Sequence, residues 1–130
     1  MRDFFQTVQA RQSVRAYQSK PVTAEQLEAI LSAANRAPSA GNLQAYGIVI
    51  VRDAATIRQL ARACFNQDFI AAAPVVLVFC ADPARSAAKY GPLGESLYSV
   101  QDATVATAYA ELAAAALGLS ACWVGAFVDK

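Results

Sequence analysis

The chain of 130 residues has room for one domain, spanning 1–130, and its 56% hydrophobic against 16% charged residues leave more apolar surface than so small a body can bury. That excess reads as an obligate oligomer with a large hydrophobic interface, while a net charge of +1 argues against nucleic acid or another polyanion as partner. The absence of histidine removes imidazole acid–base chemistry and most zinc sites.

Taken from the start, Met1-Arg2-Asp3-Phe4-Phe5 has no apolar core of secretory-signal length, so the cytoplasm is the expected location. Residues 2–10 read as a short helix with Phe4, Phe5 and Val8 on one side. Arg11-Gln12-Ser13-Val14-Arg15-Ala16-Tyr17 follows as a loop or extended stretch. Thr23-Ala24-Glu25-Gln26 is a capping box. Leu27, Ile30, Leu31 and Ala34 continue it at helical spacing, for a helix of about a dozen residues ending before Pro38. Pro38-Ser39-Ala40-Gly41-Asn42 is a loop by composition. Tyr46 to Val51 is a β-branched strand, and Asp53 caps a helix whose stripe is Ile57, Leu60, Ala61 and Cys64.

Pro74 to Cys80 is a continuous apolar run expected to be a buried strand. Asp82-Pro83 ends it, and Arg85 to Gly94 reads as a polar, glycine-containing connection. A long helix runs from there to about Leu117, stopped by Gly118. Its apolar 102–119 region is marginal for a membrane span, and its alanines favour close packing on a partner copy instead. Ala121 to Phe127 is expected to be a third buried strand. Cys64, Cys80 and Cys122 are odd in number, far apart and set in apolar runs, so they are expected to be buried, reduced thiols. This order of elements gives an α/β or α+β domain.

The strongest chemical signal is the Arg11–Tyr17 segment. If it is extended, Arg11, Ser13 and Arg15 share a face, with two permanent cations flanking a hydroxyl and no acid among them. The arginine fork suits phosphate. The plain alternative is a solvated basic turn. Ser39 and Asn42 add hydrogen-bonding groups, and Gly41 permits close approach of a ligand to the backbone; the alternative is a connecting loop. The Asn66-Gln67 amides could pair with the edge of a heterocycle, and Gly125 within Trp123-Val124-Gly125-Ala126-Phe127 marks either a ligand approach or a bulge. No nucleophile–base pair and no cluster with metal-ligand spacing stands out, so no protein group is assigned as catalytic and any redox chemistry falls to a cofactor.

Together these motifs resemble the nitroreductase family of FMN-dependent oxidoreductases, including its NADH oxidase-like members. The resemblance rests on Arg11–Tyr17, on Ala37-Pro38-Ser39-Ala40-Gly41-Asn42-Leu43-Gln44, on Gln67 to Cys80 with Ala73-Pro74, and on Ala116-Leu117-Gly118-Leu119 followed by Trp123-Val124-Gly125. It implies an α+β fold with a central, mainly antiparallel sheet flanked by helices, in a homodimer with a long central interface helix. It implies FMN as cofactor, NADH or NADPH as electron donor, and a nitroaromatic, quinone or other small molecule as acceptor.

Position by position, the resemblance puts Arg11 and Ser13 on the FMN phosphate, with Gln12 beside them, and Arg15 near the flavin's pyrimidine edge. Pro38, Ser39, Ala40 and Asn42 match a loop that reaches the flavin bound mainly by the other subunit. Gln67, and Asn66 beside it, match the side chain on the flavin's polar edge. Gly125 and Ala126 match the backbone near N5. Members of the family usually continue beyond the position of Lys130 with another helix, a core strand, a wrapping arm and a late basic residue for the phosphate. The alternatives in function are a non-catalytic flavin-binding or structural remnant, and a subunit completed by another chain.

Overall fold

The computed structural model describes residues 1–129. Helices α1 (Phe4–Ala10) and α2 (Ala24–Asn35) precede strand β1 (Tyr46–Val51) and helix α3 (Ala54–Ala63). Strand β2 (Val76–Ala81) leads into α4 (Pro83–Leu93), a π-turn over Gly94–Tyr98, and the long α5 (Ser99–Ala116).

The helix starts follow their local chemistry. The Thr23 hydroxyl accepts from the Gln26 N–H at 3.1 Å while the Gln26 side-chain oxygen accepts from the Thr23 N–H at 3.0 Å, completing the expected box. A second box, Asp3 with Gln6, starts α1. Asp53 caps α3 by accepting from the Thr56 N–H at 2.9 Å. The stop of α5 is a Schellman arrangement: Leu119 N–H donates to Ala114 C=O, Gly118 N–H donates to Ala115 C=O, and Gly118 takes φ +77°.

β1 and β2 pair antiparallel, with Ile48 opposite Phe79 and Val49 opposite Val78. Tyr46, Ile48, Leu77 and Phe79 face α2 and α5. The α2–α5 contact is built on small residues, with Ala34 and Ala106 fully buried, which brings the helices close. A second, smaller cluster gathers Ile57, Ala61 and Ile70 with Val124 against them.

Four expectations are corrected. The segment from Arg85 to Gly94 is helical, because Asp82 caps α4 and Pro83 occupies its first turn, where a missing N–H costs nothing. The helix breaks only at Gly91, whose φ is +61°. It re-forms around Gly94, where an added Cβ would lie 2.6 Å from the Ser86 carbonyl oxygen. Ala121 to Phe127 is not a strand. Ala121 makes a single parallel bridge to Ser13, and Trp123 and Phe127 stay exposed, because among the described residues no further strand lies alongside them.

The second apolar run begins as a strand only at Val76 and is half-buried, since the outer face of this two-stranded sheet is uncovered. For the same reason Cys80 is exposed; Cys64 and Cys122 are half-buried, and all three are unpaired. The apolar side of α1 points outward, with Phe5 81% exposed, while Thr7 is the residue it buries. No helix among the described residues is long and apolar enough to cross a membrane.

Candidate functional site

The extended Arg11–Tyr17 segment is pinned at its centre. The Val14 N–H donates to Ala121 C=O at 3.0 Å, beside the Ser13–Ala121 bridge. This leaves Arg11, Gln12, Ser13 and Arg15 exposed and half-buries Val14 and Tyr17. The face is not free of acid. Glu111 on α5 comes within 3.8 Å of the Arg11 guanidinium, so a carboxylate 100 residues away in sequence orients the leading cation. A small polar cleft of about 130 Å³ opens here, lined in part by Arg2, Arg11, Gln12 and Glu111. Tyr17 packs on Phe69 with ring centroids 6.2 Å apart. Its phenol is pushed up to about 12, first by burial and then by Cys122 and Glu111, against the opposing pull of Arg15. It is therefore a neutral wall at physiological pH.

Gln67 joins this strip from the other side. Its side-chain amide donates to Cys64 C=O at 2.9 Å and to Ala126 C=O at 3.1 Å. Both Nε2 hydrogens are committed, which leaves Oε1 as the acceptor the side chain has to offer. Asn66 beside it is exposed and left-handed, with φ +58°. Gly125 and Ala126 are exposed, and Val128 N–H ties the segment to Ala63 C=O at 2.8 Å. Three separated parts of the sequence, Arg11–Tyr17, Asn66-Gln67 and Ala121–Ala126, thus form one continuous strip. The Cys64 thiol lies beneath it, pushed up by burial, so it is no reactive thiolate.

The Pro38–Asn42 loop is not part of that strip. It folds as a tight turn over Ala40–Asn42, with Gly41, Asn42 and Gln44 all at positive φ. The Ser39 hydroxyl accepts from the Gln44 N–H at 3.0 Å, and Asn42 Oδ1 accepts from the Gln44 side-chain amide at 2.6 Å. Tyr90 and Lys89 press on Gly41 closely enough that an added Cβ would lie 2.5 Å from the Tyr90 oxygen. The loop is anchored to α5 by Asp102, and the strip by Glu111. Nine residues of helix put these anchors about 13 Å apart along the axis. Within one chain, Ser39 and Asn42 therefore sit at the opposite end of α5 from Arg11.

Asp102, Glu111, Gln44 and Tyr17 were not among the sequence-derived site residues. Two carboxylates in the most apolar stretch of the chain were a readable signal, because a charge in such a place needs a partner. Among the described residues no group of three or more potential metal ligands occurs.

The model of the nitroreductase family matches residues 8–67 and 60–130. FMN reductase (NAD(P)H) of Bacillus subtilis is 31% identical over 137 residues, covering 97% of this chain and 55% of that protein. Nitroreductase A from Vibrio parahaemolyticus superposes with a TM-score of 0.85 at 33% identity, covering 97% of this chain and 56% of that one. The NADPH:FMN oxidoreductase from Vibrio harveyi, solved in complex with NAD+, superposes with a TM-score of 0.84 at 30% identity, covering 95% and 56%. The chain spans about half the length of these relatives.

Proposed function

The chain belongs to the nitroreductase family, and from that premise we propose that it works as a homodimeric FMN-dependent oxidoreductase. It would take hydride from NADH or NADPH and reduce a nitroaromatic, a quinone or another small acceptor. The observation that carries this reading is the continuous strip made by Arg11–Tyr17, Asn66-Gln67 and Ala121–Ala126, held by the Ser13–Ala121 bridge and the Gln67–Ala126 hydrogen bond.

The donor set fits FMN. Arg11, Gln12 and Ser13 offer exposed donors to a phosphate dianion. The remaining acceptor Oε1 of Gln67 suits the imide N–H of a flavin, and Asn66 extends that polar edge. Arg15, which the resemblance puts near the flavin's pyrimidine edge, would supply a cation that stabilises the negative charge of the reduced ring. Gly125 and Ala126 are exposed backbone without bulk, so a planar ring system can approach them closely. Bound FMN supplies the hydride chemistry. The protein's part is to bind, orient and set the charge around it.

A second copy is part of the reading because one chain divides its candidate residues between the two ends of α5. An antiparallel pairing of two such helices brings the Pro38, Ser39, Ala40 and Asn42 loop of one copy toward the Arg11 strip of the other. The apolar surface needed for such pairing is available: Phe4, Phe5 and Val8 on α1 are exposed, as are Val100 and Tyr109 on α5. α5 has no single apolar stripe, and its exposed positions include Val100, Ala108 and Tyr109, which a partner helix can cover. Three unpaired thiols suit a reducing, cytoplasmic setting.

The test is anaerobic addition of NADH or NADPH to the FMN-loaded protein. Loss of the oxidised flavin absorbance, and its return on adding a nitroaromatic or quinone, is the expected result. Bound flavin that neither dinucleotide bleaches would sink the assignment as an enzyme and leave a flavin carrier.

A further inference from the structure

We propose that Asp102 is a positioning residue for the flavin-facing loop: its buried carboxylate holds the Ser39–Ala45 turn in the shape that presents Ser39 and Asn42. The inference rests on the flavin reading above and deepens it.

Asp102 is 4% exposed, inside a helix whose other buried residues are small. A carboxylate there needs donors. It finds them in the backbone of the loop: Oδ1 accepts from the Ala40 N–H and Oδ2 from the Ala45 N–H, each at 3.1 Å. The two N–H groups flank the whole turn, so one side chain closes it like a staple.

The turn needs such a staple. Asn42 at φ +57° and Gln44 at φ +44° hold a backbone shape that residues with a Cβ adopt only under constraint. Other ties act on the turn as well: Ser39 Oγ accepts from Gln44 N–H, Arg85 donates to Gln44 C=O at 3.1 Å, and the Asp82 N–H donates to Ala45 C=O at 2.8 Å. The first two are partly or fully solvent-exposed and compete with water, and the third holds only the end of the turn. Asp102 is the side chain that grips both ends of the turn from the buried side. Its position on α5 also sets the loop at a fixed distance from Glu111 and Arg11, and hence from the other half of the site.

Asp102→Asn tests this with little change in volume. The amide keeps one acceptor, but its NH2 opposes the second backbone N–H, so one end of the staple is lost. In the folded variant, FMN binding is expected to weaken about tenfold or more, in line with loss of a hydrogen bond to a charged group. The visible circular dichroism of bound flavin, which reports its surroundings and not global stability, should change shape. Wild-type affinity and an unchanged flavin spectrum in a folded Asp102→Asn protein would overturn the proposal.

If that variant does not fold, Asp102→Asn is made together with Gln44→Gly, which relieves the strain at φ +44°, and is compared with Gln44→Gly alone. Weaker FMN binding with an altered flavin spectrum in the double variant supports the proposal, and equal binding in the two overturns it. A wild-type protein that takes up no FMN overturns the flavin reading itself, and that is seen before any variant is made.

Discussion

Arg11 is the residue on which the binding account most depends. It is half-exposed, paired only at 3.8 Å with Glu111, and turned toward a polar cleft. Such a half-exposed pair contributes about 0–1 kcal/mol to stability, whereas a charge-assisted contact to phosphate is worth roughly 1.5–3 kcal/mol. Arg11→Ala should therefore leave the melting temperature almost unchanged and weaken FMN binding by about 10- to 150-fold. Equal affinity in a fluorescence-quenching titration would remove Arg11 from the phosphate site. The sequence made this residue visible through alternation: once the segment is extended, Arg11, Ser13 and Arg15 must stand together. Asp102 and Glu111 stood out as charges in an apolar stretch, but their partners did not. Which turn of a distant helix lies beside Arg11 is decided by packing, not by local pattern, and the partners of Asp102 are backbone N–H groups that no side-chain motif encodes.

The helices and turns that carry these residues were legible where a local signal is strong. Both capping residues read from the sequence, Thr23 and Asp53, cap as expected. Asp53 also makes a pH-dependent contribution. The Thr56 hydroxyl and N–H hold its carboxyl below the ordinary carboxylate range. A depressed folded value means that the stabilisation is present above the unfolded carboxylate's range and is lost as the pH falls through the folded one. Asp53→Ala should thus lower the melting temperature at neutral pH, and the gap from wild type should close in strong acid. A gap independent of pH would show that the carboxylate charge plays no part in the cap. Elements failed to be legible where tertiary context rules. The Arg85–Gly94 stretch looks like a loop because it holds glycine and proline, yet Asp82-Pro83 starts a helix there and Gly94 lets it pack on Ser86. Ala121–Phe127 has strand composition but no strand beside it, and composition cannot supply a partner.

Over the whole molecule, α5 separates the Arg11 strip from the Ser39–Ala45 turn, the two halves of the proposed site. The strip around Arg11 lies at its C-terminal end, and the Ser39–Ala45 turn is stapled near its N-terminal end by Asp102. Composition indicated the apolar excess, and the structure puts part of it on α1 and α5, where Phe4, Phe5, Val100 and Tyr109 are exposed. If two copies complete each site, flavin binding and association are linked, and each must strengthen the other. The direct test is an equilibrium titration of the protein with FMN at a series of protein concentrations, with mass measured by light scattering. The account predicts saturation at one FMN per chain, a dimeric mass in the bound state, and affinity that falls on dilution below the dimer's dissociation constant. A chain that binds no FMN at any concentration, or that binds it equally well as a monomer, would contradict it.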